Sequence, residues 1–496
     1  MLFLLCMLAF SSHAQEKNSS IPVHGTWLNL PYQDVRNKYM NPPHIDLNNP
    51  LFWEQKIKEY SEIGLKYLII MAVANEQKAW YPSNFMEHVY PEGQKSPVDA
   101  IMDAAEKYHL KVFMSCGWAI DQDDDLRKPE IRAIQQRIMS ETAALYGQHQ
   151  SFYGWYLPVE DSFTPYPSDH AVDAVNTLTD RARSLTPNAK ILISPYGICR
   201  ADFESPKFAE QIRKFKVDII AYQDEVGCVS EAMPMKRMKE HFAQLYEIHK
   251  NTNIQLWANV ESFTWEKGTN SRESALIPAA FPRYLSQIAG VSQAGVAEVV
   301  SFAIYGIYDD PASPMFLGQP IESAKAYKNY SDWQAGKGRW KFLEASFRNE
   351  VVNSALKTII KSNNAADAKK LTDNMLGVET TGDPNWLAFN SGKMEVVVDL
   401  KKVTAIKTLA ARFLQYRIGS VFLPKTVDFY VSTDGKKYEK IRTVFMDNSP
   451  NDLWDCWIDA AFADEINTSA RFVKIIADNS TSKALFCDEI FVNPVY

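Results

Sequence analysis

Eight short β-rich runs, each followed by a helical pattern, recur between residues 18 and 330, and this rhythm restricts the fold more than any other feature. Lys66 to Ala74 reads KYLIIMAVA, the kind of continuous apolar run that suits a strand covered on both faces. The other runs are Val23 to Trp27, Lys111 to Ser115, Phe152 to Leu157, Lys190 to Ser194, Val217 to Tyr222, Ile254 to Ala258 and Val296 to Ala303. Between them, Trp53, Ile57, Tyr60 and Ile63 stripe a helix at 50–63 that Gly64 stops. Ser96-Pro97 opens the next helix, and others are expected at 128–146, 168–185, 231–250 and 272–289. An open doubly wound sheet would alternate similarly, but no glycine-rich phosphate loop follows any strand. The expected fold class is α/β, with a (β/α)8 TIM barrel.

The rhythm breaks at 331–345, which reads as a linker containing Gly336 and Gly338. Beyond it, over 346–496, come shorter alternating runs: Met394 to Leu400, Val427 to Ser432, Arg471 to Ala477 and Glu489 to Val492. Thr433-Asp434-Gly435 supplies a hairpin-type turn, so this part is expected to be an all-β jelly-roll or sandwich. At the other end, Leu2 to Phe10 is apolar and Ser12-His13-Ala14 fits a signal-peptidase site, although a basic leading segment is missing. Residues 1–14 therefore read as a signal peptide, and the protein as secreted or periplasmic. No later run is long enough to span a bilayer.

The charge balance is 53 Lys and Arg against 60 Asp and Glu, a net −7 that argues against a nucleic-acid partner. Of the six cysteines, Cys6 leaves with the signal; Cys199 with Cys228, and Cys456 with Cys487, could pair, or all could stay as buried thiols. No HExxH and no GxSxG is present. Asp121 to Asp125 is either a hard-cation loop or a solvated lead into a helix. No organic cofactor is implied.

In such barrels the chemistry sits just beyond the carboxyl ends of the strands. Those positions hold Trp27, Asn75, Trp118, Glu160, Asp161, Tyr196, Tyr222, Asp224, Glu225, Asn259, Glu261, Trp265 and Tyr305. Carboxylates and aromatics dominate. Two carboxyl groups across a sugar-sized cleft are what glycosidic cleavage needs, and flat rings suit sugar faces. Glu160 after strand four and Glu261 after strand seven form the leading pair. An apolar wall around Glu160 would favour its acid role. Tyr222 is placed to hydrogen-bond the partner carboxylate. Glu160 with Asp224 is the alternative pair, and Asp161 and Glu225 compete. Against each stands the plain reading of a loop carboxylate paired with Lys or Arg. Trp27, Asn75, Trp118, Tyr196, Asn259, Trp265 and Tyr305 are the expected substrate contacts.

With those residues in hand, the barrel resembles the retaining TIM-barrel glycoside hydrolase superfamily, and more narrowly secreted barrel proteins of gut Bacteroidetes. The resemblance implies Glu160 as acid/base, Glu261 as nucleophile and Tyr222 as its support. It departs at Val159, where the superfamily usually has Asn. The carboxyl part is similar to discoidin-type (coagulation factor type C) galactose-binding-like domains. The matching stretches are Asn353 to Lys357, Leu371 to Asn374 with Gly377, Trp386 to Phe389, Val427 to Gly435, Ala470 to Ile475 and Asp488 to Ile490. That likeness implies a structural calcium near 371–377, with Tyr416, Arg417 and Trp454 as candidate sugar contacts. The expected function is hydrolysis of a poly- or oligosaccharide with carbohydrate as the partner. The alternative is a non-catalytic glycan-binding protein on the same architecture.

Overall fold

The computed structural model describes residues 19–30, 38–40, 44–121, 124–126, 128–227, 232–267, 274–320, 322–353, 359–362, 368–447 and 456–496. The signal segment, Cys228 and Trp454 lie outside these residues.

Eight parallel strands close a barrel: β1 (Val23–Leu28), β2 (Tyr67–Ile70), β3 (Lys111–Ser115), β4 (Phe152–Tyr156), β5 (Lys190–Ile193), β6 (Ile219–Gln223), β7 (Gln255–Glu261) and β8 (Glu298–Phe302). Sequential strands are neighbours and β1 pairs with β8, so the expected TIM barrel is the observed one. Seven helices wrap it: α1 (Pro50–Glu62), α2 (Pro97–Lys107), α3 (Pro129–Tyr146), α4 (Asp169–Leu185), α5 (Pro206–Lys214), α6 (Met235–His249) and α7 (Phe281–Ala294). Local chemistry starts several of them. The side chains of Asn49, Ser96, Ser168 and Ser205 each accept from a backbone N–H of the first turn, and proline follows three of these caps.

Strand pleating divides the barrel into two apolar sets. Ile219 and Ala221 of β6, Trp257 of β7 and Val300 of β8 join Trp27, Ile69, Phe113 and Leu192 in the barrel interior. Ile220 and Tyr222 of β6, and Ala258 and Val260 of β7, belong to the layer between barrel and helices. Each fully buried large side chain of either set contributes roughly 1.5–3 kcal/mol.

Two segments differ from expectation. Residues 331–345, expected as a linker, are largely helical. They lie within α8 (Ser323–Gln334) and α9 (Gly338–Phe347), which meet at Gly336, a residue with φ +71°. Trp333, Trp340, Phe342 and Leu343 are buried, so these helices are held by packing that the glycines alone did not suggest. The helix expected at 272–289 instead starts at Phe281, because an antiparallel hairpin, Phe263–Trp265 with Leu276–Pro278, occupies the space after β7.

The carboxyl part is a two-sheet antiparallel unit. Its five-stranded sheet runs β9 (Ile359–Ser362), β11 (Lys393–Ile406), β16 (Thr468–Asp478), β13 (Thr426–Ser432), β14 (Glu439–Phe445). Its four-stranded sheet runs β10 (Leu387–Asn390), β17 (Ala484–Val492), β12 (Leu409–Tyr416), β15 (Cys456–Ala463). Cys456 and Cys487 are free thiols. Each pairs across to β12, on opposite sides of it, at Tyr416 and Phe413. Two strand spacings of about 4.8 Å exceed the reach of a disulfide. The sandwich is joined to the barrel through α9, where Phe342 meets Phe462 at 5.3 Å and Phe491 at 5.0 Å.

Candidate active site

The pleat decides which strand-end residues can serve the barrel mouth. On β7, Glu261 has the parity of the interior residue Trp257, with Asn259 between them. On β6 the interior parity belongs to Gln223, and Tyr222 points the other way. Its hydroxyl lies 3.0 Å from His249 Nε2 of α6, and its side chain is fully buried. The expected support of a catalytic carboxylate by Tyr222 is therefore not observed. Tyr305 is likewise behind the wall, with its ring 5.6 Å from that of Trp53 on α1, and not among the mouth residues. Asn259 bridges three strands: its amide donates to Ser194 Oγ at 3.2 Å and its carbonyl accepts from the Phe302 N–H at 2.8 Å. That is a framing role for a residue read as a substrate contact.

The carboxyl groups fall into three environments. Glu225 is 2% exposed and has φ +55°. Its carboxylate accepts from the Gly197 and Cys199 N–H groups, which binds loop six to loop five. Asp224 is fully buried between the wall and α7. It accepts from Gln287 Nε2 at 2.6 Å, and from the N–H groups of Glu261 at 3.1 Å and Val226 at 3.3 Å. Burial raises its pKa to about 6 despite these donors. Both carboxylates are committed to the scaffold, which weakens each as a catalytic alternative.

Glu261 is different. Its residue is 5% exposed, and Oε2 has no hydrogen-bond partner among the described residues. Burial first, then the charges of Asp224 and Glu225, push its pKa well above the usual range; Arg283 of α7 and the nearby Gly227 N–H pull partly the other way. An upward shift favours the neutral form of this carboxyl. The expected division of labour has Glu261 attacking as an anion. Gln287 also donates to the Glu261 carbonyl at 3.0 Å, so one amide holds the strand end and Asp224 together.

At the end of β4 the surroundings are more open. Glu160 and Asp161 are half-buried. Asp161 accepts from the Ser162 N–H at 2.8 Å and the Ser168 hydroxyl at 3.3 Å. The charge of Glu160 adds to the upward push that burial gives the Tyr156 hydroxyl, which places the two near one another. Tyr156 in turn meets Trp27 edge-on at 5.9 Å. Tyr156 was absent from the strand-end set because the apolar run of strand four was read on to Leu157, one residue past the observed end of β4; Tyr156 lies in the interior apolar set.

The aromatic residues are split between mouth and packing. Trp27 is buried, and its indole N–H, like Asn75 Oδ1, has no partner among the described residues. Trp118 donates to the Pro158 carbonyl at 3.4 Å. Tyr196 is 42% exposed. Trp265 donates to the Gly227 carbonyl at 3.3 Å, which ties the hairpin to loop six.

Among the described residues, no group of three or more His, Cys, Asp and Glu side chains is arranged to hold a metal ion. Asp124, within the acidic run, accepts from the Ala119 and Ile120 N–H groups and so caps its own loop. Near 371–377, Glu489 is pushed to about 8 by burial, with Asp373 and Asp488 adding to the push. Its oxygens meet Asn353 Nδ2 at 2.9 Å and the Asn374 N–H at 3.1 Å. A buried carboxylate with a second one nearby is the chemistry a hard cation takes, so Glu489 and Asp373 are the residues that would hold a calcium ion. No helix among the described residues is long and apolar enough to cross a membrane.

Residues 23–315 match the model of a family described as a domain of unknown function, DUF4434. No curated protein matches the sequence. Among solved structures, a candidate alpha-L-fucosidase from Bacteroides thetaiotaomicron is 18% identical over 67% of this chain and 99% of its own, with a TM-score of 0.50. A Ruminococcus gnavus GH29 fucosidase, solved with fucose, is 11% identical over 95% of this chain and 92% of its own, at a TM-score of 0.34. The module CpGH89CBM32-5 of Clostridium perfringens, solved with GalNAc-β-1,3-galactose, is 17% identical over 27% of this chain and 94% of its own, at a TM-score of 0.21. At such identities the first likeness is one of fold.

Proposed function

We propose that this chain, which belongs to the DUF4434 family, is a glycoside hydrolase working with the carboxyl groups of Glu160 and Glu261. The observation that carries the reading is Glu261: a carboxyl group at the carboxyl end of β7, buried, with its pKa pushed upward by that burial and with one oxygen unpartnered among the described residues. A buried protonated carboxyl can give its proton to a departing glycosidic oxygen. Glu160, in the more open end of β4, then takes the anionic role as nucleophile or as base toward water. A separation of about 5–5.5 Å in the substrate complex corresponds to retention of configuration, and about 6.5–9.5 Å to inversion. The names of the fucosidase structures make α-L-fucosides the first substrates to test.

The test is a hydrolysis screen of the protein from Gln15 onward on natural glycans and aryl glycosides, including α-L-fucosides. Glu261→Gln should lower turnover on natural glycans by about 10²–10⁴-fold. Its loss should be far smaller on an aryl glycoside whose leaving group needs no proton. Glu160→Gln should abolish turnover on both. Turnover of both substrates unchanged in either variant would overturn that residue's role. Binding of a glycan with no cleavage across the screen would move the reading to a glycan-binding protein. Export is part of the same proposal: amino-terminal sequencing of the native protein should begin at Gln15, and a retained Met1 would refute it.

A further inference from the structure

Between loop six of the barrel and the carboxyl-terminal sandwich lies a cavity of about 470 Å³. That volume falls within the roughly 300–1,000 Å³ range of small-ligand sites. The barrel wall of the cavity includes Val226, Met233 and the first turns of α6, with Arg237 and Glu240. The facing wall comes from the sandwich: Glu379, Thr380, Thr381 and Tyr416. We propose that this cleft is a saccharide subsite built jointly by the two domains, which receives a part of the substrate remote from the cleaved bond. The proposal rests on the hydrolase reading above and extends it.

Four features support it. First, the facing wall is fixed. Glu379 is 4% exposed, and its carboxylate accepts from Lys239 Nζ of α6 at 3.0 Å and from the Ser286 hydroxyl of α7. The turn that follows is closed by the Thr380 N–H to the Val378 carbonyl at 2.7 Å and the Asp383 N–H to the Thr380 carbonyl at 3.3 Å. Thr380 and Thr381 therefore reach the cavity from a segment clamped onto the barrel. Second, Tyr416 is also fixed. Its N–H donates to the Val421 carbonyl at 2.8 Å, and Gly419 lies so near that a Cβ there would be 2.8 Å from the ring. A rigid ring, threonine hydroxyls and a guanidinium are the groups that recognise a polyol with an apolar face.

Third, Arg237 is exposed and makes no ion pair among the described residues, so its donors are available to sugar hydroxyls or to a uronate carboxylate. Glu240, by contrast, has Lys236 Nζ at 3.9 Å. Fourth, the cavity and the proposed acid share loop six. Val226 lines the cavity, and its neighbour Gly227 lies so close to Glu261 that a Cβ there would be 3.1 Å from Oε2. A bound chain in the cleft would thus be registered against the carboxyl group across a single loop.

The experiment uses the full chain, with Tyr416→Ala, Arg237→Ala and Tyr416→Phe. Kinetics are taken on an aryl monoglycoside and on neutral and uronate-bearing oligosaccharides of two to eight sugars, and binding of the same oligosaccharides is measured by calorimetry. Tyr416→Ala and Arg237→Ala should leave kcat/KM on the monoglycoside within about twofold. Both should raise KM and Kd for the longer oligosaccharides by about tenfold, the scale of one lost anchor contact. Tyr416→Phe keeps the ring and should stay near wild type, which separates ligand contact from misfolding. A loss by Arg237→Ala confined to the uronate set would identify an acidic sugar there. KM and Kd unchanged at every length overturn the subsite, as does a wild type that binds none of the oligosaccharides. Oligosaccharide binding that is lost in the variants, in a protein that cleaves nothing, would uphold the subsite while refuting the hydrolase.

Discussion

The carboxyl ends of β4 and β7 both present a glutamate, but in opposite settings. Around Glu160 the chain is half-buried and held by short-range contacts such as Asp161 with Ser162 and Ser168. Around Glu261 everything is sealed: Asp224, Gln287 and Arg283 are each fully buried, and the hairpin after β7 covers the loop. The difference is the ground for the two roles proposed above. Low dielectric and neighbouring anions favour the neutral acid, which is why the proposed proton donor is the one at β7. A group that must carry charge is better served by the more open end at β4.

The largest effect expected to separate the two ends is on stability. Gln287→Leu removes the donor to both Asp224 and the Glu261 carbonyl, and should cost about 2–5 kcal/mol in urea unfolding. Asp161→Ala at the other end should cost about 1 kcal/mol or less. Equal losses would break the contrast between a sealed and an open strand end.

The next effect is in pH. The Asp224 carboxyl keeps its proton in the folded protein up to about 6, whereas the unfolded chain releases it near its ordinary 3.8. Across that window the native state binds more protons, so this group's contribution is fully present below about pH 4 and lost as pH rises through about 6. The change amounts to about 3 kcal/mol. Asp224→Asn should flatten that part of the stability profile; an unaltered slope would remove Asp224 from the account. In catalysis the same sign applies to Glu261, whose loss of a proton should set the alkaline limb of kcat and vanish from the profile in Glu261→Gln.

The smallest effect concerns a third buried carboxylate, Glu489, which has donors from Asn353 and Asn374 yet is pushed to about 8. If a cation neutralises it, millimolar calcium should raise Tm by about 2–5 °C at pH 8 and by less at pH 6, because the ion needs the ionised form. No shift, or an equal one in Glu489→Gln, would leave this carboxylate as a plain scaffold group.

The barrel was legible in the sequence because its strands are apolar on both faces, and the resulting runs stand out against the helices. The position of Glu261 at a strand end followed from the same runs. What did not follow was facing. Tyr222 and Asp224 were taken as site residues by their place in the chain, but alternation along β6 turns both toward the helix layer, with Gln223 between them on the interior side. Counting parity from Ile219 and Ala221 would have separated them. Gln287 and Arg283 had no strand-end signal at all. They lie on α7, Arg283 in its first turn and Gln287 near its middle, and act on Glu261 only because α7 packs behind β7, a contact that no local pattern encodes. The helical nature of 331–345 was hidden by two glycines that mark helix ends and not a flexible joint.

Glu379 carries a last consequence. It belongs to the sandwich in sequence, yet it is seated between α6 and α7 of the barrel, where Lys239 and Ser286 bind it. The barrel's outer layer is thus completed by a residue from beyond its own boundary. Excising residues 18–330 would strip α7 of that partner and, through Gln287 one position along, loosen the strand end that bears Glu261. The two parts should melt in one calorimetric transition, and cutting the chain between them would yield a lame barrel and not a minimal enzyme.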